Sequence, residues 1–464
     1  MLAVARTPAA PPPRERPQDG PGRGAARRHL PRGAPRPTRL GDLRSKTTPA
    51  PRKTQSLRPF PAVVDHAVSE AHGPSLPTVA MTGAWFDPDD LRVWSGMVTN
   101  VVAELSAMGV FAGYRDAGPA RWAARAALAV LRSRDPRSGA APLHPAMRAA
   151  AFLSGPAVRR RPPRHAQAWV VPAGTLGHPA SGPEIAWCEM APSQLLALGP
   201  ARAAAFGLPG VTAGQLRALA RAHLALHRRA RSSCTVSQWA ADALVDAHGI
   251  DRRRVHVVGC GRNIVPRGPV VHDWSTPRFL FVGNDWQRKN GPAVMSAFRT
   301  LRHRHPGARL DVAGGHPPLD AAGVRGHGQL RLDRPEDRRR LAALFTGATC
   351  LVMPSTVEPF GIVYAEAAGF GVASIAGNIG GTTTAVGAGG LLVDPTDHRA
   401  LVDAMETMAD PATAQRLGRL AAQRAPALTW RKVAERILRA AGIAPPDVGA
   451  LAAFLDDRQL EATC

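Results

Sequence analysis

From about residue 77 to residue 440 the chain alternates short, apolar runs with segments whose apolar residues recur every three or four positions. Such alternation builds parallel sheets covered by helices and excludes a β-sandwich or a helical bundle. In the first half the strand-like runs are 78–82 (TVAMT), 168–171, 185–188, 234–236 and 255–258. In the second half they are 279–282, 310–313, 350–353, 373–376 and 391–393. Helical spacing is carried by Val98, Val101, Val102 and Leu105, by residues 239–247, and by Val294, Met295, Phe298 and Leu301. Trp430, Val433, Ala434, Ile437 and Leu438 repeat it near the end. A Pro/Gly-rich stretch, 266–277, parts the two halves as an interdomain linker would. The expected organisation is α/β: two Rossmann-like, doubly wound domains over 76–270 and 271–425, facing each other across a cleft. A C-terminal helical segment, 426–464, would cross back to the first domain. Ligands of such sheets sit beyond the carboxyl ends of the strands.

Residues 1–75 read differently. Twelve prolines and 14 basic side chains against three acidic ones fall in the first 60 positions, without apolar periodicity. A segment of that composition cannot bury enough surface to offset its ordering entropy and is expected to be disordered. The first 60 residues thus carry +11 of the net +24, so the charge per residue is concentrated in this tail. Polybasic arms bind phosphates nonspecifically, but no aromatic residues interleave with these arginines, which argues against a specific nucleic-acid partner. An uninvolved extension, or a start codon assigned too far upstream, accounts for the tail better than a phosphate-binding arm. A further amphipathic segment, 122–131, flanked by Arg121, Arg125 and Arg132, is expected to cover a sheet; lying on a membrane surface is the less common use of such a helix. No apolar run reaches the roughly 18 residues of a membrane span, and residues 1–13 lack the apolar core of a secretory signal. Five scattered cysteines, never in a C-x-x-C pair, point to a reducing cytoplasm rather than a disulfide scaffold.

Two stretches carry chemistry. The first is FVGNDWQRKNG (281–291), directly after a strand. The chain has 55 Arg but only four Lys, so Lys289 beside Arg288 asks for a specific reason. A guanidinium fork next to a compact ammonium can clamp a diphosphate and stabilise it as a leaving group; taken alone, the pair is better read as two ordinary surface cations on a solvated loop. The second is PSTVEPFGIVYAEA (354–367), which follows a strand and opens a helix. Pro359 suits a first helical turn, Gly361 lets backbone approach a ligand, and unpaired amides there would bind phosphate. Glu358 would hang in the loop mouth, with Glu366 about two turns along, a spacing suited to two hydroxyl-bearing groups of one extended ligand. His223 and His227 have the i,i+4 spacing of zinc proteases, but Leu-Ala-Leu lies between them instead of the required Glu. No metal site is expected there. His303 and His305 are expected at a solvated helix end.

These stretches resemble the retaining, nucleotide-sugar-dependent glycosyltransferases of family 4 (glycosyl transferases group 1), which have the GT-B fold. The resemblance rests on FVGNDWQRKNG, on EPFGIVYAE (358–366), on GNIGGTTTAVGAGGLLVDP (377–395) and on LTWRKVAERI (428–437), with echoes in WSG (94–96) and VSQWAADALVDAHGIDRRRVHVVGCGRN (236–263). It covers roughly residues 77–440. It implies a cytoplasmic hexosyltransferase that moves a sugar from a nucleoside-diphosphate sugar to an acceptor hydroxyl, with no cofactor and no metal. Arg288 and Lys289 would bind the donor diphosphate, Glu366 the ribose hydroxyls, and Glu358 would face the donor sugar. Gly283 and the amides of Phe360, Gly361 and Ile362 would line sugar and phosphate, and Gly96 would approach the phosphates from the first domain. The acceptor is open between a glycan, a lipid and a small molecule; a lipid would bring peripheral membrane contact.

Three departures stand out. Thr384 occupies a position where the family usually has Glu. Residues 330–335 (LRLDRP) lack the glycine often found there, which leaves base recognition unread. The family's acceptor-side His or Asp has its nearest counterpart in Glu189, within AWCEMA (186–191), which also fits a structural Glu at a strand end. A GT-B-like nucleotide-sugar epimerase and a non-catalytic nucleotide- or glycan-binding relative are the alternatives.

Overall fold

The computed structural model describes residues 78–83, 93–116, 166–172, 182–203, 206 and 210–446. The expected tail over 1–75, the segment 122–131, residues 84–92 and the residues after 446 lie outside them. All described residues belong to one unit, His72–Cys464.

Two all-parallel, six-stranded sheets carry the fold. In the amino-terminal lobe β1 (Val79–Gly83), β2 (Phe111–Asp116), β3 (Ala168–Pro172), β4 (Glu184–Cys188), β5 (Ser232–Thr235) and β6 (Val255–Val257) lie in the order β2-β1-β3-β4-β5-β6. In the carboxyl-terminal lobe β7 (Arg278–Gly283), β8 (Arg309–Gly314), β9 (Val324–Gly328), β10 (Cys350–Met353), β11 (Ala373–Gly377) and β12 (Gly390–Val393) lie in the order β12-β11-β10-β7-β8-β9. Every residue of β3, β4, β10 and β11 is buried, as a parallel sheet covered on both faces requires. Every strand read from the sequence is present within one or two residues. The two that were not read, β2 and β9, are the outermost strands of the first and second sheet respectively.

The helices among the described residues are α1 (Met97–Ala107), α2 (Pro192–Ala203), α3 (Ala213–Arg229), α4 (Gln238–Asp246), α5 (Gly291–Arg302), α6 (Pro335–Gly347), α7 (Ile362–Gly369), α8 (Thr382–Val386), α9 (His398–Ala409), α10 (Pro411–Arg424) and α11 (Trp430–Ala440). Local chemistry sets their starts. Thr212 and Gln215 form a reciprocal capping box at α3. Ser237, Asp397, Asp410 and Thr429 each accept an amide from the first turn of α4, α9, α10 and α11.

The final helix leaves the lobe that precedes it. The apolar face of α11 is buried, including Val433, Ile437 and Leu438, and it packs on α1 and β5 of the amino-terminal lobe. The hydroxyl of Ser232 in β5 donates to the Ala440 carbonyl at 2.7 Å. Cys188, Cys234, Cys260 and Cys350 are buried free thiols. Among the described residues no helix is long and apolar enough to cross a membrane.

Candidate functional site

In the second sheet the chain runs outward from β7 through β8 to β9, then returns to β10 on the other side of β7 and continues to β11 and β12. The loops after β7 and β10 therefore leave from adjacent strands in a crevice where the winding reverses, the place where open parallel sheets take ligands. Both loops line a cavity of about 590 Å³.

The loop after β7 carries the cations. A tight turn, in which Lys289 N donates to Asp285 O at 2.9 Å and Asn290 adopts φ 64°, aims both side chains into the cavity. The carboxylate of Asp285 accepts from the Arg288 amide at 3.1 Å and lies 3.4 Å from its Nε. That buried Nε has no hydrogen-bond partner. Arg288 also donates to the Val357 carbonyl at 3.0 Å, and its guanidinium lies 4.9 Å from the ring centre of Phe206 in the other lobe. Gly283 is needed for space, since a Cβ there would come within 2.8 Å of Lys289 Cγ. Gly283→Ala is thus expected to push the ammonium aside and lower turnover about tenfold or more while the thermal melt changes little; initial rates beside a melting curve check this.

The loop after β10 carries Glu358, which is buried. Its Oε2 accepts from Lys289 Nζ and from Ser355 Oγ at 3.1 Å, and lies 3.6 Å from Arg288. One carboxylate oxygen thus holds both cations without a ligand. Burial pulls the Lys289 pKa down, and Glu358 opposes that pull. Gly380 and Gly381 support this loop: a Cβ on Gly380 would lie 2.2 Å from Glu358 O, and Gly381 N donates to that oxygen at 2.8 Å.

The helix expected from Pro359 begins instead at Ile362. Gly361, at φ 85°, turns the chain into it, and an added Cβ there would strike the Tyr364 ring at 2.4 Å. Glu366 consequently stands little more than one turn into α7, buried, rather than two. It accepts the Asn263 amide at 3.3 Å. Burial raises its pKa to about 7, and the amides of Asn263 and Ile264 pull in the opposite direction.

Every residue expected on the donor or acceptor side except Gly96 lines this one cavity: Arg288, Lys289, Glu358, Gly283, Phe360, Gly361, Ile362, Glu366 and, from the end of β4, Glu189. Gly96 is buried between Ser95 and Met97, which do line it. Burial, and then the charge of Glu358, raise the Glu189 pKa to about 7. Leu330 and Leu332, from the stretch that left base recognition unread, form an apolar part of the wall. Sequence reasoning missed Asn263, Phe206 and Asp285. Asp285 stood within the first motif and Asn263 ended a quoted one, whereas nothing near Phe206 marked it.

Other singled-out residues lie elsewhere. The Oγ1 of Thr384 accepts from the Gln238 amide at 3.0 Å, linking α8 to the first turn of α4 in the opposite lobe. His223 and His227, on α3, are core residues near Cys188, with ligand-type atoms within 4.8 Å of one another. Both ring nitrogens of His227 are occupied, Nδ1 by Ser233 Oγ at 2.8 Å and Nε2 by His223 Nε2 at 3.0 Å. Burial lowers both imidazole pKa values, that of His223 to about 4. His303 is exposed at the end of α5, as expected, and the partly exposed His305 pairs through Nε2 with Glu406 of α9 at 2.9 Å, a partner 101 residues away in sequence.

Comparison with known proteins fits this geometry. Residues 276–410 match the family model described as glycosyl transferases group 1. A glycogen synthase of Mycobacterium tuberculosis is 37% identical over 164 residues, 33% of this chain and 40% of that protein. A D-inositol 3-phosphate glycosyltransferase of Pseudarthrobacter chlorophenolicus is 32% identical over 235 residues, 46% of this chain and 55% of that one. The chain thus spans about half the length of the curated relatives it matches, or less. Among solved structures, sucrose-phosphate synthase from Thermosynechococcus elongatus superposes with a TM-score of 0.52 at 19% identity, covering 84% of this chain and all of that one. WaaG, a glycosyltransferase involved in lipopolysaccharide biosynthesis, gives 0.53 at 13% identity over 77% and 99% of the two chains. Over residues 276–410 the carboxyl-terminal lobe is similar to the glycosyl transferases group 1 family, and the two-lobed likeness over most of the chain shows the GT-B fold.

Proposed function

We propose that this chain is a retaining glycosyltransferase that moves a hexosyl group from a nucleoside-diphosphate sugar to an acceptor hydroxyl. The observation that carries this reading is the convergence of Arg288, Lys289, Glu358 and the Gly361–Ile362 turn on one cavity at the switch point of the second sheet. A largely buried ammonium beside a guanidinium is suited to a diphosphate, whose charge grows as it leaves. The amides that open α7 add donors of the same kind.

In this reading the bond between the anomeric carbon and the β-phosphate oxygen breaks, and the electron pair stays on that oxygen. The cations then shift part of their pairing from Glu358 to the departing diphosphate. The acceptor oxygen bonds to the anomeric carbon on the same face, and its proton passes to the phosphate oxygen. Glu358, released, faces the donor sugar, and Glu366 takes the ribose hydroxyls. Glu189 lines the opposite wall, on the acceptor side.

The test is incubation with UDP-, GDP- and ADP-sugars, with and without a panel of glycan, lipid and small-molecule acceptors. Acceptor-dependent release of nucleoside diphosphate is expected, with the donor's anomeric configuration kept in the product by proton NMR. Epimerised donor would replace transfer by epimerisation, and tight binding without turnover would make the chain a binding protein.

A further inference from the structure

Asn263 lies between the lobes, six residues after β6, and every polar group of its carboxamide is used. Its Oδ1 accepts from Asn100 Nδ2 of α1 at 3.1 Å and from the Trp430 indole of α11 at 3.0 Å. Its Nδ2 donates to the Ser95 carbonyl at 2.9 Å. Its backbone amide donates to Glu366 Oε1 at 3.3 Å. Two segments that line the cavity from different lobes therefore meet on one residue.

The loop it holds needs holding. Ser95 has φ 52° and Gly96 φ 79°, consecutive left-handed residues of which only the glycine adopts that state without cost. A serine there is strained and persists only when its surroundings fix it. Asn263 grips the Ser95 carbonyl, and Asn100 grips the Gly96 carbonyl at 2.8 Å while also bonding Asn263. Asn263 has little freedom to swing away, because Gly261 packs so closely on Trp430 that a Cβ would come within 2.3 Å of its backbone nitrogen.

We propose that Asn263 is a positioning residue that keeps the Ser95–Gly96 loop of one lobe in register with the Glu366 carboxylate of the other, so that a single nucleotide is gripped from both sides. The inference rests on the donor-site reading above. Among side chains of this size, only a carboxamide meets all three side-chain demands. Leucine would strand two donors and a carbonyl, and aspartate would turn an oxygen toward the Ser95 carbonyl and add charge beside Glu366.

The experiment is calorimetric binding of UDP, GDP and ADP to the full chain at pH 8, followed by the 2′,3′-dideoxy form of whichever binds tightest. Wild type is expected to prefer the ribose form. Asn263→Ala is expected to weaken the ribose form about tenfold and the dideoxy form less, so that the preference shrinks. In a Glu366→Gln background Asn263→Ala should leave the remaining preference unchanged. Trp430→Phe, which deletes one donor to Oδ1 and keeps the packing, should weaken the ribose form about threefold and the dideoxy form less; it serves if Asn263→Ala does not fold. A folded Asn263→Ala or Trp430→Phe protein with wild-type affinity and preference overturns the role of Asn263. So does an equal loss for both nucleotide forms. If wild type binds none of the three diphosphates while Lys289→Ala behaves identically, the donor-site reading itself falls, and this inference with it.

Discussion

Lys289→Ala is expected to lower turnover by about 10²- to 10³-fold, the range found when one preorganised donor to a developing anion is removed. The effect should fall mainly on kcat, because the diphosphate carries more charge as it departs than when bound as a donor. The Lys289 side chain is only 13% exposed, so water cannot replace it cheaply. Stability should change little, since Glu358 keeps Ser355 at 3.1 Å and gains freedom to pair with Arg288, now 3.6 Å away. Lys289→Arg should rescue poorly: the stem passes Gly283 too closely for a guanidinium fork to be accommodated without moving the loop. Initial rates of nucleoside diphosphate release, beside circular dichroism and a thermal melt, check all of this. A rate within threefold of wild type in a folded protein would remove the clamp from the mechanism.

That lysine was legible in the sequence for a compositional reason. A chain that writes arginine almost everywhere, with four lysines in 464 residues, placed one directly after a strand. The doubly wound architecture was legible because buried parallel strands are short apolar runs that stand out from their flanks. The edges were not. VRGHG in β9 is partly exposed along its whole length and has no apolar run, and FAGYRD in β2 mixes Gly, Arg and Asp into an outer strand. The start of α7 was misplaced because a proline at N1 is a common signal. Here Pro359 belongs instead to the loop covered by Gly381, on which a Cβ would lie 1.8 Å from the Pro359 carbonyl.

What the sequence could not supply were contacts made over long separations. Asn263 joins Glu366 across 103 residues, Ser95 across 168 and Trp430 across 167. Thr384 joins Gln238 across 146. None of these pairs has a spacing signature, because each is created only when the two lobes and α11 come together. Thr384 is instructive here. Where the family usually has a carboxylate, this chain has a hydroxyl, and that hydroxyl accepts from α4 of the opposite lobe without lining the cavity. The substitution thus falls on contact between lobes, and the residues that converge on the cavity are untouched.

Glu366→Gln is expected to stabilise the ligand-free protein at pH 8 while abolishing much of its ability to hold a nucleotide. The cause is burial, which raises the carboxyl pKa from an ordinary 4.5 to about 7. A raised carboxyl pKa means that the folded chain holds the proton more tightly than the unfolded chain. The stabilising contribution is complete below pH 4.5, is lost as pH climbs toward 7, and stays lost above it. At about 1.4 kcal/mol per pH unit, the loss by pH 8 is at most roughly 3 kcal/mol. Glutamine carries no charge to desolvate, so the variant should melt higher than wild type at pH 8 and nearly level with it at pH 4.5. In the proposed donor site ribose hydroxyls would donate to the charged carboxylate, so nucleotide binding should release a proton near pH 6, visible as buffer-dependent binding heats, and the variant should lose that proton. Glu189→Gln provides the internal comparison. Its carboxyl is raised to about 7 by burial and by Glu358, so it should show the same rise in melting temperature at pH 8 while keeping the ribose preference. If Glu366→Gln melts lower than wild type at pH 8, the carboxylate is held by structure rather than strained for binding, and its assignment to the ribose loses its physical basis.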